Sequence, residues 1–211
     1  INKNKIKKIF ILSENELLIE KTSSLILKNY GIFSLSKIPT EHNNLVDNNL
    51  IFKILNMTEQ LVKKRIDELI YKSFTKNTYD LFLKEVKNKF ILYYQNLQAC
   101  REYLNKFSNI SNDKTFLFTG VPSSLKSLAY SQAFEEKKIK IFSFQHGVTA
   151  EISGTHNFNR VFHSSSNSDY YFTFNQAAAK ICRDNFFSNA KSIIHGVPKR
   201  YFRQKLYLKF R

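Results

Sequence analysis

Three consecutive residues, Gln145, His146 and Gly147, combine groups able to act on an acceptor hydroxyl. An imidazole has an unperturbed pKa of about 6.5, so at neutral pH it can take a proton from an alcohol as the oxygen attacks. Gly147 permits close approach of backbone or ligand. A histidine at a strand end also serves as a plain hydrogen-bonding cap, and spacing alone leaves both roles open. His156 and His163 follow at intervals of ten and seven residues, which fits no standard metal-ligand pattern. Metal chemistry is not expected, and no cofactor is called for.

A second constellation runs from Gly120 to Ser127, G-V-P-S-S-L-K-S. It resembles a phosphate loop, but the second glycine that would let backbone amides wrap the phosphates is replaced by Leu125, which excludes an NTPase reading. A helix N-terminus after a strand, with Gly120, Ser123, Ser124 and Lys126 nearby, still forms a generic anion site. An ordinary helix cap explains the same residues.

Both constellations need a scaffold that presents strand ends. Ile139 to Phe144 is a short apolar run leaving the charged turn Glu135 to Lys138 and reads as a buried parallel strand. Thr115 to Thr119 reads as the preceding strand and Ser124 to Glu136 as a right-handed crossover helix. Tyr170 to Phe174, a helix over Asn175 to Phe187 and a strand over Ala190 to His195 continue the alternation. In open α/β sheets ligands bind at the C-terminal ends of the strands.

The chain opens in the same way. Lys5 to Leu12 predicts a strand, and the spacing of Ser13 and Glu16 forms a capping box for a helix that stops at Gly31. Ile32 to Ile38 predicts a second strand before Pro39. Thr40 to Asn49 reads as a polar loop. In Ile51 to Phe74 and Tyr79 to Phe107 the apolar residues recur at steps of three and four, as helices with a core face require. These helices are expected to form an insertion or side layer. The stretch from Gln145 to Ser168 is a long loop, a length uncommon unless functional or mobile.

Composition narrows the partners. The 211 residues include 43% hydrophobic types, with 20 Phe and 11 Tyr, enough to bury a sizeable core. No run reaches the roughly 18 apolar residues of a membrane span, and no secretory leader is visible, so a cytoplasmic chain, peripheral on the inner membrane face, is expected. Cys100 and Cys182 lack partners at metal or disulfide spacing and read as buried free thiols. The net charge of +16 attracts phosphate on an anionic membrane, a nucleotide-activated donor or nucleic acid. The chain is Lys-, Asn-, Ile- and Phe-rich throughout, a bias that AT-rich codons also produce, and no nucleic-acid motif sharpens that option.

The order F-Q-H-G at Phe144 to Gly147, then S-D-Y-Y-F-T-F-N at Ser168 to Asn175, then I-I-H-G-V-P-K-R at Ile193 to Arg200 resembles bacterial cell-envelope transferases of the GT-B type. It is most similar to the group containing CDP-glycerol glycerophosphotransferases and capsular polysaccharide transferases. The resemblance spans roughly Thr115 to Arg200, with the first half alike only in architecture, and Val148 departs from the Thr common after the His-Gly pair.

It implies an α/β protein with a mostly parallel Rossmann-like sheet and a helical segment at about 50–107, forming the acceptor-side domain over residues 1–200. Residues 201–211 would begin a linker to a second domain, so the chain reads as a fragment inactive alone. It implies transfer of a glycosyl or glycerophosphate group to a lipid-linked or polymer acceptor. His146 would be the base, Gln145 and Gly147 would shape the acceptor pocket, and Gly196, Pro198 and Lys199 would lie beside the cleft. A basic phosphate- or nucleic-acid-binding module without chemistry, and a sugar-nucleotide epimerase, are the rival expectations.

Overall fold

The computed structural model describes residues 8–12, 34–37, 48–69, 76–107, 115–120, 124–145 and 165–196. The chain divides into two compact units, Ile1–Pro39 with Phe107–Arg211, and Thr40–Lys106. The expected helix from Ser13, most of the Gln145 to Ser168 loop and the Tyr201 to Arg211 segment lie outside the described residues.

The first unit is built on six strands: β1 (Lys8–Ile11), β2 (Ser34–Lys37), β3 (Thr115–Thr119), β4 (Lys140–Phe144), β5 (Tyr170–Thr173) and β6 (Lys191–Ile194). They form one sheet in the order β2-β1-β3-β4-β5-β6, and every ladder is parallel. With its flanking helices this is the Rossmann-like α/β class that the alternating pattern predicts. The chain steps outward from β1 to β2, then returns past β1 to β3, so the sheet reverses direction between β1 and β3.

Period-two alternation divides the sheet into unlike faces. Phe118 aligns with Phe142, Phe142 with Tyr170 and Phe144 with Phe172. Their rings therefore meet along the sheet, with the Phe142–Tyr170 and Phe144–Phe172 centroids 4.9 Å apart in stacked geometry. Each such pair contributes about 0.5–1.5 kcal/mol beyond its burial. The other face carries Leu117, Thr119, Ile141, Ser143, Tyr171 and Thr173, all buried. The helices α3 (Leu125–Glu136) and α4 (Gln176–Asp184) pack on this face. Phe134 of α3 meets Phe10 edge-on at 5.2 Å. Tyr171, Cys182 and Ala190 pack together on this side, and Ser192 Oγ donates to the Ala179 carbonyl at 3.3 Å.

Local chemistry sets the helix ends. Ser124 is the N-cap of α3, its hydroxyl accepting from the Ser127 amide at 3.1 Å. Asn175 does the same for α4 through the Ala178 amide at 3.0 Å, satisfying donors that the first turn leaves orphaned. Helix α4 stops at Asp184 rather than continuing to Phe187. Asn185 turns the chain there, its side chain accepting from the Phe187 amide at 2.9 Å, an Asx turn that competes with helix. At the end of α3 the Ile139 amide bonds the Phe134 carbonyl and the Lys138 amide the Glu135 carbonyl, a Schellman closure. Lys138 consequently adopts φ 56°.

The approach to β5 is fastened by hydroxyls. Ser143 and Ser168 share a 2.7 Å hydrogen bond, Ser168 donates to the Ser165 carbonyl, and Ser165 donates to Ser188 at 2.8 Å. Asp169 then ties β4 to β5: its carboxylate accepts from the Ile141 amide at 2.9 Å and from Lys140 at 2.6 Å. Cys100 and Cys182 are buried thiols outside any disulfide.

The second unit holds α1 (Asn48–Leu69) and α2 (Lys76–Asn105). A 3.0 Å ion pair between Glu59 and Lys87 joins them. Both helices begin a few residues before the first apolar position of their stripes.

Candidate functional site

The parallel sheet brings the C-terminal ends of all its strands to one side, and three of the sequence-predicted residues, Gly120, Gln145 and Gly196, lie there. Gly120 directly follows β3, Gln145 directly follows β4, and His195 and Gly196 directly follow β6. Adjacent strands lie about 4.8 Å apart, so Gln145 stands one strand from Gly120 and two from Gly196, and the row of strand exits from Gly120 to Gly196 spans about 14 Å. His146, Gly147, Ser123, Pro198 and Lys199 lie outside the described residues. The chain order sets His146 immediately after Gln145.

Gln145 is 3% exposed and has a definite structural task. Its backbone amide continues the ladder to the Phe172 carbonyl at 2.9 Å. Its side-chain oxygen accepts from the Phe174 amide at 2.8 Å. That amide emerges just past the end of β5 and would otherwise be a buried donor, so the side chain clamps the exits of β4 and β5 together. The residue before His146 is thereby anchored at both backbone and side chain.

The exit of β6 is fastened to β5 in the same way, the His195 amide donating to the Thr173 carbonyl at 2.8 Å. The His195 ring is exposed and meets Phe172 edge-on at 5.8 Å. Sequence reasoning passed over this histidine, although it precedes a glycine in the chain just as His146 does. Gly196 takes φ 81° with nothing within 4 Å of an added Cβ, so its requirement is conformational rather than steric.

At the end of β3 a different feature appears. Thr119 is fully buried, aligned with Ser143 across the ladder, and its hydroxyl has no hydrogen-bond partner among the described residues. This orphaned hydroxyl lies beside the point where the strand order reverses, the position at which doubly wound sheets form a ligand crevice. No sequence pattern announced it, because the strand order is a property of the folded sheet. The α3 N-terminus nearby shows the capping arrangement. Its Ser127 amide is taken by Ser124, while the Lys126 ammonium lies 5.6 Å from the Tyr130 ring centroid.

Electrostatics at the opposite, N-terminal end of the sheet are structural. The hydrogen bond and charge of Asp169 raise the Lys140 pKa from 10.5, whereas burial lowers that of Lys8. The Lys8 ammonium sits 3.2 Å from the Phe107 ring centroid. Among the described residues no group of three His, Cys, Asp or Glu side chains could hold a metal ion. Comparison with protein-family models, with curated proteins and with solved structures finds no match to this chain.

Proposed function

We propose that the chain is the acceptor-side domain of a GT-B-type transferase that moves a glycosyl or glycerophosphate group from a nucleotide-activated donor to a lipid-linked or polymeric surface acceptor. The observation that carries the reading is the double anchoring of Gln145, with its backbone bonded to Phe172 and its side chain to Phe174. A general base has to be held against a fixed frame to meet its acceptor, and Gln145 supplies that frame one residue before His146. In this reading the His146 imidazole takes the hydroxyl proton. The acceptor oxygen forms the new bond to the transferred group as the bond to the nucleotide breaks, and the nucleotide leaves with the bonding electrons. Gly147 gives room for the acceptor, Gly196, Pro198 and Lys199 border it, and the +16 charge draws phosphate-bearing partners.

The test is transfer from CDP-glycerol, and from nucleotide sugars, to a lipid-linked acceptor by the full gene product, comparing His146→Ala and His195→Ala with the parent. The reading requires His146→Ala to lower the rate by 10² or more, within the range of general-base catalysis. Unchanged transfer removes His146 from the role.

A second reading is favoured by the orphaned Thr119 hydroxyl beside Gly120 at the strand-order reversal. On it the chain is a non-catalytic module that holds a phosphate-bearing ligand between β1 and β3. Binding of inorganic phosphate or a nucleoside monophosphate that Thr119→Val abolishes, without any transfer, supports this reading over the first.

A further inference from the structure

Helix α1 carries apolar residues on two opposite sides. Half-buried Leu55 and Glu59, the partner of Lys87, mark the side that looks toward α2, and Phe52, 65% exposed, falls beside Glu59 on that side. On the other side Leu50, Ile54, Met57 and Leu61 follow at steps of four, three and four. At 3.6 residues per turn they fall within an arc of about 60°. Leu50 is 39% exposed, Met57 65% and Leu61 63%. Of the eleven large hydrophobic side chains exposed among the described residues, eight belong to α1 and α2, so the apolar exposure is concentrated on this unit.

Charge decides what such a stripe fits. Lys53, Lys64 and Arg65 are exposed on α1; of its acidic residues Glu59 pairs with Lys87, and Asp67 and Glu68 come at the C-terminal end of the helix sequence. By helical position Lys53 and Lys64 border the stripe on one side and Arg65 on the other. A stripe of Leu and Met flanked by long cationic side chains is the pattern of a helix lying in a bilayer interface, where the apolar groups enter the acyl boundary and the cations reach up to phosphates. No helix among the described residues is long and apolar enough to cross a membrane.

We propose that the Leu50–Met57–Leu61 stripe of α1 is a docking surface for an anionic lipid bilayer, with α1 lying in the plane of the interface. The inference rests on the lipid-linked acceptor in the function proposed above. Its test reads binding without transfer, so the two fail separately.

The chain contains no tryptophan, which makes Met57→Trp a single reporter in the full-length protein. Vesicles containing phosphatidylglycerol should blue-shift its emission and sediment the protein, pure phosphatidylcholine vesicles should do neither, and raised salt should weaken the association. Leu61→Glu should reduce vesicle partitioning by at least about tenfold, since it puts a carboxylate into the stripe that enters the acyl boundary. Lys64→Glu with Arg65→Glu should do likewise by charge alone. Circular dichroism confirms that each variant is folded. Unshifted Met57→Trp emission, or variants that bind vesicles as the parent does, overturns the proposal. It is equally overturned if the protein is a vesicle-free dimer by equilibrium sedimentation and Leu61→Glu dissolves that dimer, because the stripe then faces a second copy of the chain.

Discussion

The side-chain oxygen of Gln145 accepts a 2.8 Å hydrogen bond from the backbone amide of Phe174, joining the exits of neighbouring strands β4 and β5. Both residues are buried, so the bond carries a desolvation penalty if either side is removed. Gln145→Leu should destabilise the protein by about 1–3 kcal/mol, the cost of an unsatisfied buried amide. Urea unfolding measures this, and an unchanged midpoint would mean that water or a neighbour takes over the Phe174 amide. Gln145→Glu keeps an acceptor but buries a charge, and should be at least as disruptive at neutral pH.

Asp169 holds β4 and β5 together at the other end of the sheet, accepting from the Ile141 amide and from Lys140. Asp169→Ala should cost about 1–3 kcal/mol because the Ile141 donor loses its partner. Lys140→Met should cost only about 0–1 kcal/mol, since the ion pair is largely solvent-exposed. The pH dependence follows from the raised Lys140 pKa, caused first by its hydrogen bond to Asp169 and then by that group's charge. A lysine that holds its proton more tightly when folded contributes stability below its ordinary pKa of 10.5 and loses it as pH climbs through the raised value. Lys8 has the opposite sign, because burial lowers its pKa, so the comparison must be with Lys140→Met. The stability gap between parent and Lys140→Met should narrow as pH rises through and above 10.5, as thermal unfolding in that range would show.

Two backbone positions with positive φ carry opposite residues and should respond oppositely. Lys138 sits at φ 56°, where a side chain costs about 1–2 kcal/mol. Lys138→Gly relieves that strain and loses about 0.5–1 kcal/mol to unfolded-state entropy. A net gain of about 0.5–1 kcal/mol is expected. Gly196 sits at φ 81° with open space around it. Gly196→Ala should therefore cost about 0.5–1 kcal/mol, the backbone strain of about 1–2 kcal/mol less the unfolded-state entropy that alanine removes. Parallel denaturant titrations would show the pair of opposite shifts, and shifts of the same sign would reject the conformational account.

Thr119 offers a substitution that separates folding from binding. Valine has nearly the same shape and removes a buried hydroxyl that has no hydrogen-bond partner among the described residues. Thr119→Val should leave stability unchanged or raise it by up to about 1 kcal/mol. A clear loss of stability would show that the hydroxyl is satisfied by bound water in solution.

The helix ends should each respond to a single atom. Asn175→Ala and Ser124→Ala remove the caps of α4 and α3 and should cost about 1 kcal/mol apiece. The two caps bond different amides on different helices, so the double variant should cost their sum within about 0.5 kcal/mol. A markedly larger loss would reveal that the two helices depend on each other.

By itself the sequence determined the secondary-structure alternation and the class of fold. Runs such as Thr115 to Thr119 and Lys140 to Phe144 combine β-branched and aromatic residues, and caps such as Ser124 and Asn175 act within four residues of themselves, so purely local chemistry specifies them. Local reasoning erred where a side chain competed with the helix, as Asn185 does in ending α4 at Asp184. What only the tertiary structure decided depends on residues far apart in the chain. The order β2-β1-β3 places the sheet reversal at Thr119, the register stacks Phe142 on Tyr170, and Gln145 reaches Phe174 across 29 residues. The exposure of the α1 stripe is of the same kind. Its spacing is written in the sequence, but an amphipathic helix ordinarily buries such a stripe, and only the packed structure shows Met57 and Leu61 facing outward.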